Sequence, residues 1–146
     1  MSVIRPRPSL AAAKAVLAAS NLPTGDLTDS HCEHFFYWGP ADEPTGLVGV
    51  ELFGDVALLR SLAVSADARS SGMGTALVRH IENYAVSQGV RTLYLLTTTA
   101  AGFFSRLGYA SVPREAAPTA IRSTPEFAGI CPASSAFMSK QLQESP

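Results

Sequence analysis

Val56-Ala-Leu-Leu-Arg60-Ser-Leu-Ala-Val64, followed by Ser65-Ala-Asp-Ala-Arg69-Ser-Ser-Gly72-Met-Gly74-Thr75, decides the fold. The first part is a nearly continuous apolar run, as in strands buried on both faces. After it, Met73, Ala76, Leu77, Ile81, Tyr84 and Ala85 recur at helical spacing until Gly89 ends the pattern. Leu93-Tyr-Leu-Leu96 then reads as a second short buried strand. Strand, loop, helix and strand in this order predict a right-handed crossover between parallel strands. Gly72 and Gly74 fall in the first turn of the helix, where unpaired N–H groups and the helix dipole form a site for phosphate. The loop lacks both the Lys-Ser/Thr of a P-loop and the G-x-G-x-x-G order of a dinucleotide fold. From these residues alone, a phosphate site and a plain glycine-eased junction both stay open.

Upstream, Gly46 to Phe53 and Val56 to Val64 are strands joined by Gly54-Asp55, a spacing that suits a tight antiparallel hairpin. Ser2 to Arg5 reads as a short strand and Ser9 to Ala19 as a helix stopped by Asn21 and Pro23. Thr24 to Ser30 is a polar stretch with at most one helical turn, leading into an aromatic strand from Glu33 to Trp38. Downstream, Ala100 to Leu107 is a helix capped by Gly108. The Pro-rich segment from Val112 to Gln143 holds a helical turn near Pro118 to Arg122 and a last strand from Ala136 to Lys140. The expectation is one α/β domain over residues 1–146, with a mixed central sheet and flanking helices.

With 146 residues, 47% of them hydrophobic, the chain can bury one core without metal or disulfide staples. Its 11 Lys and Arg against 12 Asp and Glu leave no positive excess to drive phosphate-backbone binding, which argues against a nucleic-acid partner. No apolar run approaches the roughly 20 residues of a membrane span. Arg5 and Arg7 before Leu10–Ala19 superficially resemble a secretory signal, but Lys14 interrupts the apolar stretch and favours an ordinary helix. The two cysteines, Cys32 and Cys131, form no CxxC pair and fit a reduced, cytoplasmic protein.

Arg69-x-x-Gly72-x-Gly74 after Leu62-Ala-Val64, with the amphipathic helix, the short strand and Phe103-Phe-Ser-Arg-Leu-Gly108-Tyr109, resembles the signature of the GNAT acyltransferases. The resemblance implies a single-domain GNAT fold whose sheet splays between its two parallel strands. It implies acetyl-CoA as co-substrate and no metal. The pyrophosphate would lie on Arg69, Ser70, Ser71, Gly72, Met73, Gly74 and Thr75. The pantetheine arm would pair with the backbone of Leu62, Ala63 and Val64, with Phe104 beside it. A homodimer is also implied. Leu59-Arg-Ser-Leu-Ala-Val64, Leu93-Tyr-Leu-Leu-Thr-Thr-Thr99, Ile121-Arg-Ser-Thr-Pro-Glu-Phe127 and Cys131-Pro-Ala-Ser-Ser135 resemble, more narrowly, the GNAT proteins of arsenic-resistance operons and amino-acid acetyltransferases. That likeness implies a small-molecule acceptor, the amine of a glutamate-like compound such as arsinothricin.

Arg60 interrupts an apolar strand, and a guanidinium there needs a partner. A substrate carboxylate, bound bidentately, is one reading; a salt bridge to Glu51 on the neighbouring strand is the other. Glu51 is the candidate base for the amine proton, directly or through water, against a plain solvated position. Where many GNAT enzymes carry a Tyr that protonates the departing thiolate, this chain has Phe104, and Tyr94 and Tyr109 read as core. A thiol of pKa near 8.5 makes its thiolate only about 2 kcal/mol unfavourable at pH 7, so a dedicated acid is helpful rather than essential. An α-amine of pKa near 8 is already roughly a tenth neutral at pH 7, so loss of the base costs little. The expected chemistry is direct transfer in a ternary complex, with a backbone N–H near Ala63 or Val64 stabilising the oxyanion and no acyl-enzyme on Cys131. A non-catalytic acyl-CoA-binding module and a GNAT enzyme with an unrelated amine acceptor are the alternatives.

Thr97, Thr98 and Thr99 fall where a parallel strand ends, as ligand contacts or helix caps. Arg122 and Ser134 close the acceptor pocket or lie in an exposed tail, and Arg106 reads as a solvated helix residue. His31, Cys32 and His34 do not read as a metal site, because strand alternation puts His31 and Cys32 on opposite faces.

Overall fold

The computed structural model describes residues 4–20, 22, 24–65, 72–125, 127–128 and 135–142. In chain order the elements are β1 (Ile4–Pro6), α1 (Leu10–Ala19), α2 (Asp29–Cys32), β2 (Phe35–Trp38), β3 (Gly46–Phe53), β4 (Val56–Val64), α3 (Met73–Ser87), β5 (Thr92–Thr97), α4 (Ala101–Arg106), β6 (Ala110–Ser111), α5 (Thr119–Arg122) and β7 (Ala136–Gln141). The strands form one sheet in the order β1-β2-β3-β4-β5-β7-β6. Only β4 and β5 run parallel; every other neighbouring pair is antiparallel. This is the mixed, single-domain α/β architecture expected.

Local chemistry accounts for the elements. Ser9 caps α1, its Oγ accepting the Ala12 N–H at 3.1 Å. The β3–β4 hairpin turns through Gly54-Asp55, with Gly54 at φ 75°. That is the left-handed first position a type II′ turn requires. On one face of the sheet, α3 lays Met73, Leu77, Val78, Ile81 and Ala85 against Val48, Val50, Ala57 and Leu59. On the other face, Ala13 and Leu17 of α1 pack on Phe35, Leu47 and Ala63. A separate cluster on that face joins Ala117 and Ile121 to Leu58 and Phe137.

Two irregularities shape the middle of the sheet. The β3–β4 register passes from Gly49↔Arg60 to Leu47↔Ala63, so Ser61 and Leu62 oppose Val48 alone. This is a β-bulge, with Ser61 at φ 61°. It re-aims the strand: Leu62 and Val64 pack towards α3, while Ala63 packs beneath α1. The β4–β5 ladder, for its part, runs from Val56↔Thr92 to Leu59↔Leu95 and stops, although β4 continues to Val64 and β5 to Thr97. The sheet therefore opens at Arg60.

Three details depart from the expectations. The aromatic strand starts at Phe35 rather than Glu33. His31 and Cys32 sit in the helical turn α2, so strand alternation does not separate them. The two-residue β6 and a 3₁₀ turn at Arg114–Ala116 had no signal above the Pro-rich background. Among the described residues, no helix is long and apolar enough to cross a membrane.

Candidate active site

The open end of the β4–β5 pair faces the start of α3. Gly72 is the N-cap of that helix, at φ 85° and ψ 0°, and makes no side-chain cap; the first turn carries no acidic residue. A Cβ on Gly72 would meet nothing within 4 Å, so the backbone there is open to an approaching group. Gly74 is different, since a Cβ there would be in ordinary contact with the Phe103 ring at 3.4 Å. Gly72, Met73, Gly74 and Thr75 thus form the start of α3, which follows β4 and its residues Leu62, Ala63 and Val64 in the chain. Arg69, Ser70, Ser71, Cys131 and Ser134 lie outside the described residues.

Below the opening, on the α1–α2 face, sits a compact charged group. The Arg60 side chain is fully buried and its fork grips Asp26: Nη2 donates to Oδ1 at 2.8 Å and Nη1 donates to Oδ2. Nη1 also donates to Glu51 Oε2 at 2.8 Å, and Nε donates to Ser61 Oγ at 3.0 Å. The guanidinium stands 6.0 Å from the centroid of the Phe35 ring. Burial pushes the Asp26 carboxyl up, but the Arg60 guanidinium outweighs it and holds Asp26 below the usual carboxylate range. Glu51 Oε1 lies 3.9 Å from His31 Nε2. The His31 ring is fixed from behind, because Nδ1 accepts the Thr28 N–H at 3.1 Å. Neutral His31 therefore carries its proton on Nε2, facing Glu51.

The salt bridge between Arg60 and Glu51 is thus present, and Asp26 adds a second, closer partner that no sequence signal marked. Asp26, His31 and Glu51 each bring one ligand atom within 4.8 Å of the others. The Arg60 guanidinium already binds both carboxylates, so its positive charge stands where a cation's would and offsets one of their two negative charges.

Other candidates separate. Thr97 Oγ1 accepts the Ala100 N–H at 3.0 Å and caps α4, while Thr98 and Thr99 are exposed at the end of β5. Arg122 is exposed and donates to the Glu115 carbonyl at 2.9 Å. Arg106 is exposed, as expected. Phe104 is only 3% exposed, its ring edge-on to Phe103 and Tyr109. It lies in the core, on α4. Tyr109 is a core residue as read, and Tyr94 is partly buried. Tyr94 stacks on Phe137 at 5.4 Å. The Tyr109 hydroxyl donates to Glu82 Oε2 at 2.9 Å, and burial together with that carboxylate pushes it far above the usual tyrosine range. Glu82 also accepts from Arg79 and Lys140, an unanticipated, partly buried ion cluster that ties α3 to β7.

A parallel pair that opens beside a bulged strand, followed by a glycine-led helix, is the arrangement around which the candidate residues lie. Residues 10–109 match the acetyltransferase (GNAT) family. The chain belongs to that family. An uncharacterized N-acetyltransferase of Chlorobaculum tepidum is 38% identical over 66 residues, 45% of this chain and 42% of the relative. The amino-acid acetyltransferase of Ectopseudomonas mendocina is 39% identical over 66 residues, 45% of this chain and 15% of the relative. N-acetylglutamate synthase from Neisseria gonorrhoeae, solved in complex with coenzyme A and N-acetyl-glutamate, superposes with a TM-score of 0.81 at 21% identity, over 99% of this chain and 36% of that one. The matched region therefore covers less than half the length of each of these proteins.

Proposed function

We propose that this protein is an acetyl-CoA-dependent N-acetyltransferase acting on the amine of a small amino acid or a glutamate-like analogue. The observation that carries the reading is the opening of β4 from β5 at Arg60, on the strand that precedes the glycine-led α3. The relatives that act on amino acids support the acceptor class. The finer features belong to the same proposal: an acceptor such as arsinothricin, a homodimer and a cytoplasmic setting.

Acetyl-CoA supplies an activated acetyl group as a thioester. Gly72, Met73, Gly74 and Thr75 at the start of α3, with Arg69, Ser70 and Ser71 before them in sequence, would hold its phosphates, and Leu62, Ala63 and Val64 would line its arm. A backbone N–H at Ala63 or Val64 stabilises negative charge on the acetyl oxygen as the amine attacks. Arg60 orients the acceptor through its carboxylate, with Thr98 and Arg122 as further candidate contacts. Glu51 takes the proton lost by the amine nitrogen, directly or through water. The leaving sulfur takes its proton from solvent, since Phe104 has no hydroxyl and that of Tyr109 is bound to Glu82. Positioning and backbone electrostatics supply most of the rate, so Glu51→Gln lowers kcat/KM by roughly tenfold rather than abolishing turnover.

The test is release of free CoA thiol on adding amines to the protein with acetyl-CoA. Binding of acetyl-CoA without thiol release with any amine identifies a binding module instead.

A further inference from the structure

Asp26 sits on Arg60 as a free carboxylate would. Its two oxygens take the two terminal nitrogens of one fork, the bidentate geometry by which a guanidinium selects carboxylates. The fork does not depend on Asp26 for its position. Ser61 Oγ holds Nε from the bulge, Glu51 holds Nη1 from β3, and the Phe35 ring underlies the plane. Asp26 itself hangs in a turn whose next residue is anchored and whose previous residue is open. Leu27 is 5% exposed and its N–H donates to the Thr24 carbonyl, while a Cβ on Gly25 would meet nothing within 4 Å. Asp26 is 5% exposed at its side chain and next to the open side of this turn. Arg60 is also the first β4 residue past the last β4–β5 pair, at the mouth of the opening.

We propose that Asp26 is a specificity-determining placeholder for the acceptor's carboxylate. An acceptor bearing a carboxylate, or an equivalent tetrahedral oxyanion, displaces Asp26 from Arg60, and an amine without one leaves the pair closed. Exchanging one carboxylate for another keeps the buried guanidinium paired throughout, which avoids the cost of an uncompensated buried charge. The competitor lowers apparent affinity by the fraction of protein in which Asp26 is displaced. This inference rests on the acetyltransferase reading above and names how its acceptor site selects.

The experiment compares wild type with Asp26→Asn and Asp26→Ala, using glutamate and its carboxylate-free diamide as acceptors. Arg60 keeps Glu51 in both variants, so a charge-balanced pair remains. The expected result is a 3- to 30-fold fall in KM for glutamate in both variants, with the diamide's KM and the affinity for acetyl-CoA unchanged. Calorimetric binding of glutamate to the CoA-loaded protein should tighten by the same factor. Raised KM for both acceptors shows that Asp26 holds the amine instead and overturns the proposal. A lowered melting temperature with unchanged KM for glutamate marks a purely structural ion pair and overturns it too. Absence of transfer to any amine by wild type removes the acetyltransferase reading itself, and is thereby distinguished from failure of the Asp26 assignment.

Discussion

Gly49→Ala is the substitution whose consequence can be worked furthest from the structure. Gly49 lies directly across β2 from Phe35, and a Cβ there would stand 2.2, 2.3 and 2.6 Å from three atoms of that ring. Phe35 cannot yield cheaply, because it is completely buried among Ala13, Leu17, Leu47 and Ala63. Moving it by more than an ångström is overpacking of the kind that costs about 1–3 kcal/mol. An unfolding entropy near 2.1 cal/mol/K per residue, over 146 residues, makes each kcal/mol worth about 3 °C. The variant should therefore melt about 3–10 °C below wild type. Phe35 also lies beneath the Arg60 guanidinium, so KM for a carboxylate-bearing acceptor should rise while acetyl-CoA affinity holds. Gly25→Ala, at a position with open space and no left-handed backbone, is the control and should melt at or slightly above the wild-type temperature. Differential scanning calorimetry decides: a Gly49→Ala melting temperature within 1 °C of wild type refutes the packing argument, and with it the coupling from Phe35 to Arg60.

Other outcomes follow from the same geometry. Gly72→Val forces a β-branched residue into φ 85°, at a strain of about 1–3 kcal/mol, and should weaken acetyl-CoA binding at least tenfold by titration calorimetry. Tyr109→Phe removes the hydroxyl donated to Glu82 and should lower stability by about 1.5–3 kcal/mol in denaturant titrations, while kcat and its pH dependence stay unchanged. Asp26 has a folded pKa below its unfolded value, so its stabilising contribution is present above about pH 4 and fades as pH falls through the folded value. Melting curves between pH 5 and 2 should accordingly fall less steeply for Asp26→Asn than for wild type.

The helix-strand grammar was readable because each signal is local. Gly54-Asp55 between two apolar runs specified the hairpin to the residue, and the helical stripe from Met73 to Ala85 specified α3. The site was readable only in part. Arg60 announced itself by interrupting an apolar strand, and its pairing with Glu51 follows from strand adjacency. Asp26 did not, since its loop looks like any polar connection and the contact spans 34 positions of sequence. Glu82 was hidden for a similar reason, its partners Tyr109 and Lys140 being 27 and 58 residues away. His31 was misplaced because its neighbours favour a strand while Thr28 nucleates a helical turn through the histidine ring. Long-range ion pairs and short caps depend on tertiary approach, which a one-dimensional pattern does not encode.

The most direct measurement is acetyl-CoA-dependent thiol release by the full chain over a small panel: arsinothricin, phosphinothricin, glutamate, other amino acids, a polyamine and a peptide amine. Turnover concentrated on the glutamate-like compounds, with kcat/KM falling for acceptors that lack a carboxylate, is the predicted result. Turnover only with the polyamine or the peptide amine, or acetyl-CoA binding with no thiol release from any amine, would contradict the account.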